Sequence, residues 1–168
     1  MDEIITTPFS LVYDSFLNKI TDDMYMELTE DDTVKLLQGL LRTAIQKFEF
    51  PRFDITDINA KKKYFNSELT NEEINILSTY MIVEWLGQQL ASVENTRMKY
   101  SGSDFKFTSQ ANHMAKLLSL KKDYEREGFH LQRLYSRRLK NENGLMKSTM
   151  GNIMSEHPAG RDGLDQWF

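Results

Sequence analysis

Thr70-Asn-Glu-Glu-Ile-Asn-Ile-Leu-Ser-Thr-Tyr80-Met-Ile-Val-Glu-Trp-Leu-Gly-Gln-Gln-Leu90 is the stretch whose reading decides the fold. It opens on Thr70-x-x-Glu73, a capping box in which hydroxyl and carboxylate satisfy each other's backbone donors at a helix start. Behind it Ile74, Leu77, Met81, Ile82, Trp85, Leu86, Gln89 and Leu90 recur at spacings of three and four. Ile76, Tyr80 and Val83 fill in the other side. A helix apolar nearly all round belongs in the middle of a bundle. The pattern predicts that it ends near Glu94-Asn95.

The flanking segments supply helices to surround it. Toward the N-terminus, Thr29-x-x-Asp32 reads as a capping box with Asp in the usual Glu or Gln place, and Val34, Leu37, Leu40, Leu41, Ala44, Ile45 and Phe48 mark a helix that Pro51 stops. Before it, Thr7-Pro8 reads as a capping hydroxyl followed by Pro at the first helical position, with Phe9, Val12, Tyr13, Phe16, Leu17 and Ile20 on one face. Asp22–Leu28 alternates Met24, Met26 and Leu28 with polar residues, as a short strand or an extended linker does.

Residues 49–68 are irregular, with Phe50, Phe53, Ile55, Ile58, Tyr64 and Phe65 scattered around Lys61-Lys62-Lys63. A small β-hairpin fits there without being demanded. Beyond the central helix, Ser101-Gly-Ser-Asp104 has turn composition. Thr108 or Ser109 then caps a long helix to about Leu139, with Met114, Leu117, Leu118, Lys121, Tyr124, Leu131, Leu134 and Tyr135 in one stripe. Gly128 interrupts that stripe and weakens the helix by about 1 kcal/mol relative to Ala. The expected architecture is all-α: a small bundle of about four helices, with a long C-terminal helix and an extended C-terminal tail. Residues 1–140 form the helical domain and 141–168 the tail.

The 168 residues include no Cys, which excludes a disulfide scaffold, a thiolate metal site and a cysteine nucleophile, and fits a reducing compartment. No stretch approaches the roughly 20 apolar residues of a membrane span, and the acidic opening Met1-Asp2-Glu3 does not read as a secretory signal. A soluble, cytoplasmic product with no membrane partner is expected.

The net charge of −4 conceals a division. Residues 1–60 hold 5 Lys/Arg against 12 Asp/Glu, net −7, whereas 97–140 hold 11 against 4, net +7. Three arrangements fit: helices of one fold pairing at their rims, a head-to-tail contact between copies, or nucleic-acid binding through the basic segment. A pI near 5.4 weighs against a dedicated DNA reader.

Chemistry has no candidate constellation. His113 and His130 lie too far apart on one helix to share a metal, His157 falls in the tail, and no HExxH occurs. Ser119-Leu-Lys-Lys122 matches SxxK in form but sits mid-helix without a base or oxyanion site. Asp22, Asp23, Glu27, Glu30, Asp31 and Asp32 lack calcium-loop spacing and read as capping acids and solvated turns. No phosphate-cradling glycine loop is present. Neither catalytic residues nor a cofactor is expected.

Phe65-Asn-Ser-Glu-Leu-Thr-Asn-Glu-Glu-Ile-Asn-Ile-Leu through Met81-Ile-Val-Glu-Trp-Leu-Gly, Glu94-Asn-Thr-Arg-Met-Lys-Tyr-Ser-Gly-Ser-Asp-Phe-Lys-Phe, and Tyr124-Glu-Arg-Glu-Gly-Phe together resemble the small head-to-tail connector (adaptor) proteins of the neck of tailed bacteriophages. The resemblance covers roughly residues 10–140. It implies a structural virion protein, not an enzyme, assembled in the host cytoplasm. A homo-oligomeric ring, typically of twelve copies, would dock under the portal protein and carry the next neck or tail-completion protein. Double-stranded DNA would pass through its channel without specific binding. In that setting Arg126, Arg133, Arg137 and Arg138 are candidates for contact between copies. The tail's final Leu164-Asp-Gln-Trp167-Phe168 either folds back on its own core or is an anchor for a partner pocket, the latter because Trp is among the commonest hot-spot residues. The nearly thirty-residue tail is longer than in the simplest members. The alternative is a helical regulatory or nucleic-acid-associated protein that uses the basic 97–140 segment.

Overall fold

The capping box at Thr70 closes. The Thr70 backbone N–H and hydroxyl both donate to Glu73 Oε2, at 2.6 and 2.8 Å, and the Glu73 N–H donates back to Thr70 Oγ1 at 3.5 Å. With its charge so engaged, Glu73 is buried inside the fold. The computed structural model describes residues 6–20, 29–99, 107–140 and 146–148.

The elements run β1 (Thr7–Pro8), α1 (Phe9–Leu17), α2 (Glu30–Lys47), β2 (Ile58–Asn59), β3 (Tyr64–Phe65), α3 (Asn71–Lys99), α4 (Phe107–Arg137), β4 (Arg138–Lys140) and β5 (Met146–Ser148). The protein is all-α, a small helical bundle with a minor sheet of order β1-β3-β2. It divides into two compact units, residues 1–132 and 133–168.

In the first unit α1 and α2 both pack on α3. Every residue from Ile76 to Val83 is buried, more than two full turns, so α3 takes the central place its all-round apolarity demands. Phe16, Leu40, Leu41, Leu77, Met81 and Leu86 make up the heart of this core. The Phe9 ring stands edge-on to Phe65, centroids 4.9 Å apart, and so joins helix to sheet. A polar tie also links α1 to α3. The Lys19 ammonium donates to Asn75 Oδ1, Ser78 Oγ and Thr79 Oγ1 at 2.6, 3.0 and 3.2 Å. Its burial lowers its pKa, with the field of Glu127 opposing that shift.

Several local expectations give way to non-local contacts. The Thr7 hydroxyl does not cap α1; it accepts the Leu69 N–H at 2.8 Å, while Pro8 pairs with Tyr64 and stands just outside the helix. Helix α1 ends at Leu17 rather than Ile20, with the Asn18 and Lys19 N–H groups closing its last turn. Helix α2 starts as read, the Asp32 N–H donating to Thr29 Oγ1 at 3.3 Å, but stops at Lys47, before Pro51 can act. Helix α3 runs beyond Asn95 because no Gly or Pro lies between Gly87 and Gly102. Helix α4 begins at Phe107, which places Thr108 and Ser109 inside its first turn.

The hairpin in the irregular stretch forms. Ile58 pairs with Phe65 and Asn59 with Tyr64, and Lys63 lies in the turn with φ 59°. For a residue with a Cβ that left-handed conformation costs roughly 1–2 kcal/mol. In the second unit α4 gives way at Arg138 to β4, which pairs antiparallel with β5, Leu139 opposite Lys147. This hairpin takes in residues 146–148, which the sequence reading assigns to the tail. The segment Asp22–Leu28 lies outside the described residues.

Burial pushes the Tyr13 phenol up to about 12, and its buried hydroxyl has no hydrogen-bond partner. An unfolded chain releases that proton near 10, so between about 10 and 12 the native state holds more protons and stability falls as pH rises. The full penalty is about 2–3 kcal/mol. Tyr13→Phe should flatten this alkaline loss, read by urea unfolding at pH 9 and 11, and should not destabilise the protein at neutral pH.

Candidate functional site

One side chain ties three segments of the first unit together. The Gln132 amide donates from Nε2 to the Lys47 carbonyl at 3.2 Å and to the Tyr80 hydroxyl, and its Oε1 accepts the Glu49 N–H at 2.8 Å. Both donors and the acceptor are used, and the residue is buried. One turn earlier on α4, Gly128 allows the Tyr80 ring to lie directly on the helix backbone. A Cβ there would stand 2.9 Å from Tyr80 Cζ and 3.0 Å from Cε1. Gly128 is therefore the contact point that seats α4, not a defect in its stripe.

Beside this node lies a groove of about 310 Å³, lined by Lys47, Glu49, Tyr80, Val83, Glu125 and Phe129 among others. Its charges are largely matched. Lys47 Nζ is 3.1 Å from Glu84 Oε2, and Lys121 Nζ is 2.5 Å from Glu125 Oε1. Pairs this exposed contribute about 0–1 kcal/mol each. The Tyr80 phenol titrates above its ordinary value, mainly through burial, with Glu49 and Glu125 acting in the same sense and the Gln132 contact opposing. Phe129 on the groove wall is 59% exposed, and Phe50, next to Glu49, is 66% exposed.

A second, smaller cleft of about 120 Å³ lies among Lys19, Ile82, Trp85, Leu120 and Tyr124. Its lysine already spends three donors on Asn75, Ser78 and Thr79. The N-terminal part of α4 is also uncovered. Leu118 and Leu120 are exposed, and Met114 and Leu117 are half-buried, although three of these four belong to the stripe of the sequence pattern.

Arg126 is exposed and pairs with Asp123 at 3.4 Å across one turn of α4. Arg133 and Arg137, one turn apart on α4, and Arg138, the first residue of β4, are exposed, and each already makes a contact within the chain. Leu164, Trp167, Phe168 and His157 lie outside the described residues. His113, Ser119 and His130 are exposed on α4, and no group of three or more His, Asp or Glu among the described residues could hold a metal ion. Glu30, Asp31 and Asp32 form the first turn of α2, where negative charge suits the helix dipole. The node itself escapes sequence reading, since Gln132 carries no motif. Phe129 left a usable signal, a large apolar residue off the α4 stripe.

Gln132→Ala should lower stability by about 2–4 kcal/mol, because it leaves two backbone groups and a phenol without partners. Gly128→Ala should destabilise the native protein by about 1 kcal/mol or more through overpacking against Tyr80. In a Tyr80→Leu background the same change should stabilise by up to about 1 kcal/mol through helix propensity. Chemical denaturation of the four variants checks this reversal of sign.

No family model, curated protein or solved structure matches the chain.

Proposed function

We propose that the protein is a structural component of the neck of a tailed-phage virion. Copies assemble head to tail into a ring, twelve by the resemblance, that docks under the portal protein and receives the next neck or tail-completion protein. Its channel leaves room for double-stranded DNA to pass during genome ejection. The observation that carries this reading is the resemblance over about residues 10–140. Its quoted stretches fall on β3 and the start of α3, on the buried turns of α3, on the end of α3 together with residues 100–106, which lie outside the described residues, and on Tyr124–Phe129 of α4, where the groove lies.

Three features support the reading. Exposed Phe50, Leu118, Leu120 and Phe129 are apolar area that association would cover. The division between a −7 front and a +7 segment suits a heterologous contact, in which unlike surfaces meet and the rotation closes. Among the described residues no helix is long and apolar enough to cross a membrane, which agrees with assembly in the host cytoplasm and residence in the virion. The role is non-catalytic: the ring works by shape and docking, with Trp167 and Phe168 as the portal anchor and Arg126, Arg133, Arg137 and Arg138 at the contact between copies.

Sedimentation velocity should give a species near twelve times 19.7 kDa, about 240 kDa. Arg133→Glu with Arg137→Glu should shift it at least partly to monomer, and high salt should weaken it. Removing Trp167 and Phe168 should leave ring mass unchanged while abolishing co-purification with portal protein. The net +7 of residues 97–140 favours one other reading, a nucleic-acid-associated helical protein. A monomer whose DNA binding vanishes on reversing those arginines would replace the proposal with it.

A further inference from the structure

We infer that Arg42 and the hairpin tip Lys61-Lys62-Lys63 form a contact surface for the phosphodiester backbone of a nucleic-acid duplex. All four residues are exposed. Among the described residues none of the four makes an ion pair, in contrast to Lys47, Lys121 and Arg126, which are matched by carboxylates. Unmatched cations converge here from two elements. Arg42 of α2 and Ala60, the residue before Lys61, line the same small cleft of about 40 Å³.

The backbone of the tip is fixed while its charges are free. Asn59 Oδ1 accepts the Lys62 N–H at 3.0 Å, the Asn59 carbonyl accepts the Lys63 N–H at 2.7 Å, and the Lys63 carbonyl accepts the Phe9 N–H at 2.9 Å. Lys63 holds a left-handed conformation in which Gly is the comfortable residue, so the chain keeps a long cation where its backbone favours none. Three ammonium groups on flexible stems above a rigid turn suit phosphate as point charges, without geometry for a particular base.

Chemistry separates this ligand from the other polyanions. Of the exposed large apolar side chains, Leu11, Phe50, Leu118, Leu120 and Phe129, none lies on the tip, so nothing there would insert into a lipid surface. The nearest ring, Tyr64, is half-buried, and its hydroxyl accepts from Asn59 Nδ2 at 3.3 Å, which leaves no stacking platform for unpaired bases. A duplex backbone, read by charge alone, suits such a patch, and headgroup binding by charge without insertion is the alternative that vesicles test. The inference stands on this patch and not on the ring: a monomer that binds duplex through the tip would end the ring reading and leave this one intact.

The test is fluorescence anisotropy of the full chain with a labelled 30-bp DNA duplex, titrated with salt, beside the same duplex as RNA and vesicles containing anionic lipid. Four phosphate contacts per copy give a slope of log affinity on log salt near −3.6, or about a hundredfold loss between 50 and 200 mM. Lys61→Gln, Lys62→Gln and Lys63→Gly together should cut that slope by about 2.7 for each bound copy. The Gly suits the turn, so the thermal midpoint should hold or rise, and Lys61→Gln with Lys62→Gln alone should give about two-thirds of the effect should the triple variant misfold. Equal response with DNA and RNA duplexes marks a backbone contact, and preference for one names the source. No binding at 20 mM salt would overturn the inference. So would a slope that survives the tip variants and falls instead on neutralising Arg126, Arg133, Arg137 and Arg138, or tip-dependent binding to vesicles but not to duplex.

Discussion

The seat of α4 on α3 rests on a tyrosine ring set close against a helix backbone. Tyr80 approaches so closely that only a residue without a Cβ fits at position 128, and its hydroxyl is then held by Gln132 one turn on. The same amide fastens the end of α2 through Lys47 and Glu49. Three segments thus share one fully satisfied buried polar group, and the groove that Phe129 lines opens beside it. Polar networks of this kind specify one arrangement because a half-made version leaves buried donors and acceptors unpaired.

Surface chemistry follows from what that arrangement leaves over. The core of the first unit consumes the apolar residues of α3 almost completely, and ion pairs such as Lys47–Glu84 between helices and Lys121–Glu125 along one take up some of its acidic and basic side chains. What remains includes uncovered apolar side chains, Leu11 on α1, Phe50 after α2 and Leu118, Leu120 and Phe129 on α4, and unmatched cations at the β2–β3 turn, on α2 and on α4. The first favours other protein surfaces and the second favours phosphate. In the proposed ring the first would meet protein neighbours and the second a nucleic acid.

The parts of this structure legible in the sequence are those whose causes are local. The Thr70 box and the all-round apolarity from Ile74 to Leu90 each lie within a few turns of chain, and both the start of α3 and its central place follow from them. Where the deciding partner is distant, local reading errs. Thr7 looks like a cap, yet its hydroxyl serves Leu69. Gly128 looks like a weakness in a helix, because propensity counts the missing methyl and not the tyrosine ring occupying its place. Leu117 and Leu118 sit on a proper stripe, but periodicity states which residues share a face, and not whether the same chain covers it. Lys63 gives no warning of its left-handed turn, since Gly and Asn, the residues that announce one, are absent at that position.

The proposed role depends on self-association of this chain, and direct imaging decides it. Negative-stain class averages of the purified full-length protein, alone and mixed with portal protein, should show annular particles with an open centre that stack coaxially on the portal. Isolated small particles in both samples, at protein concentrations well above micromolar, would contradict it.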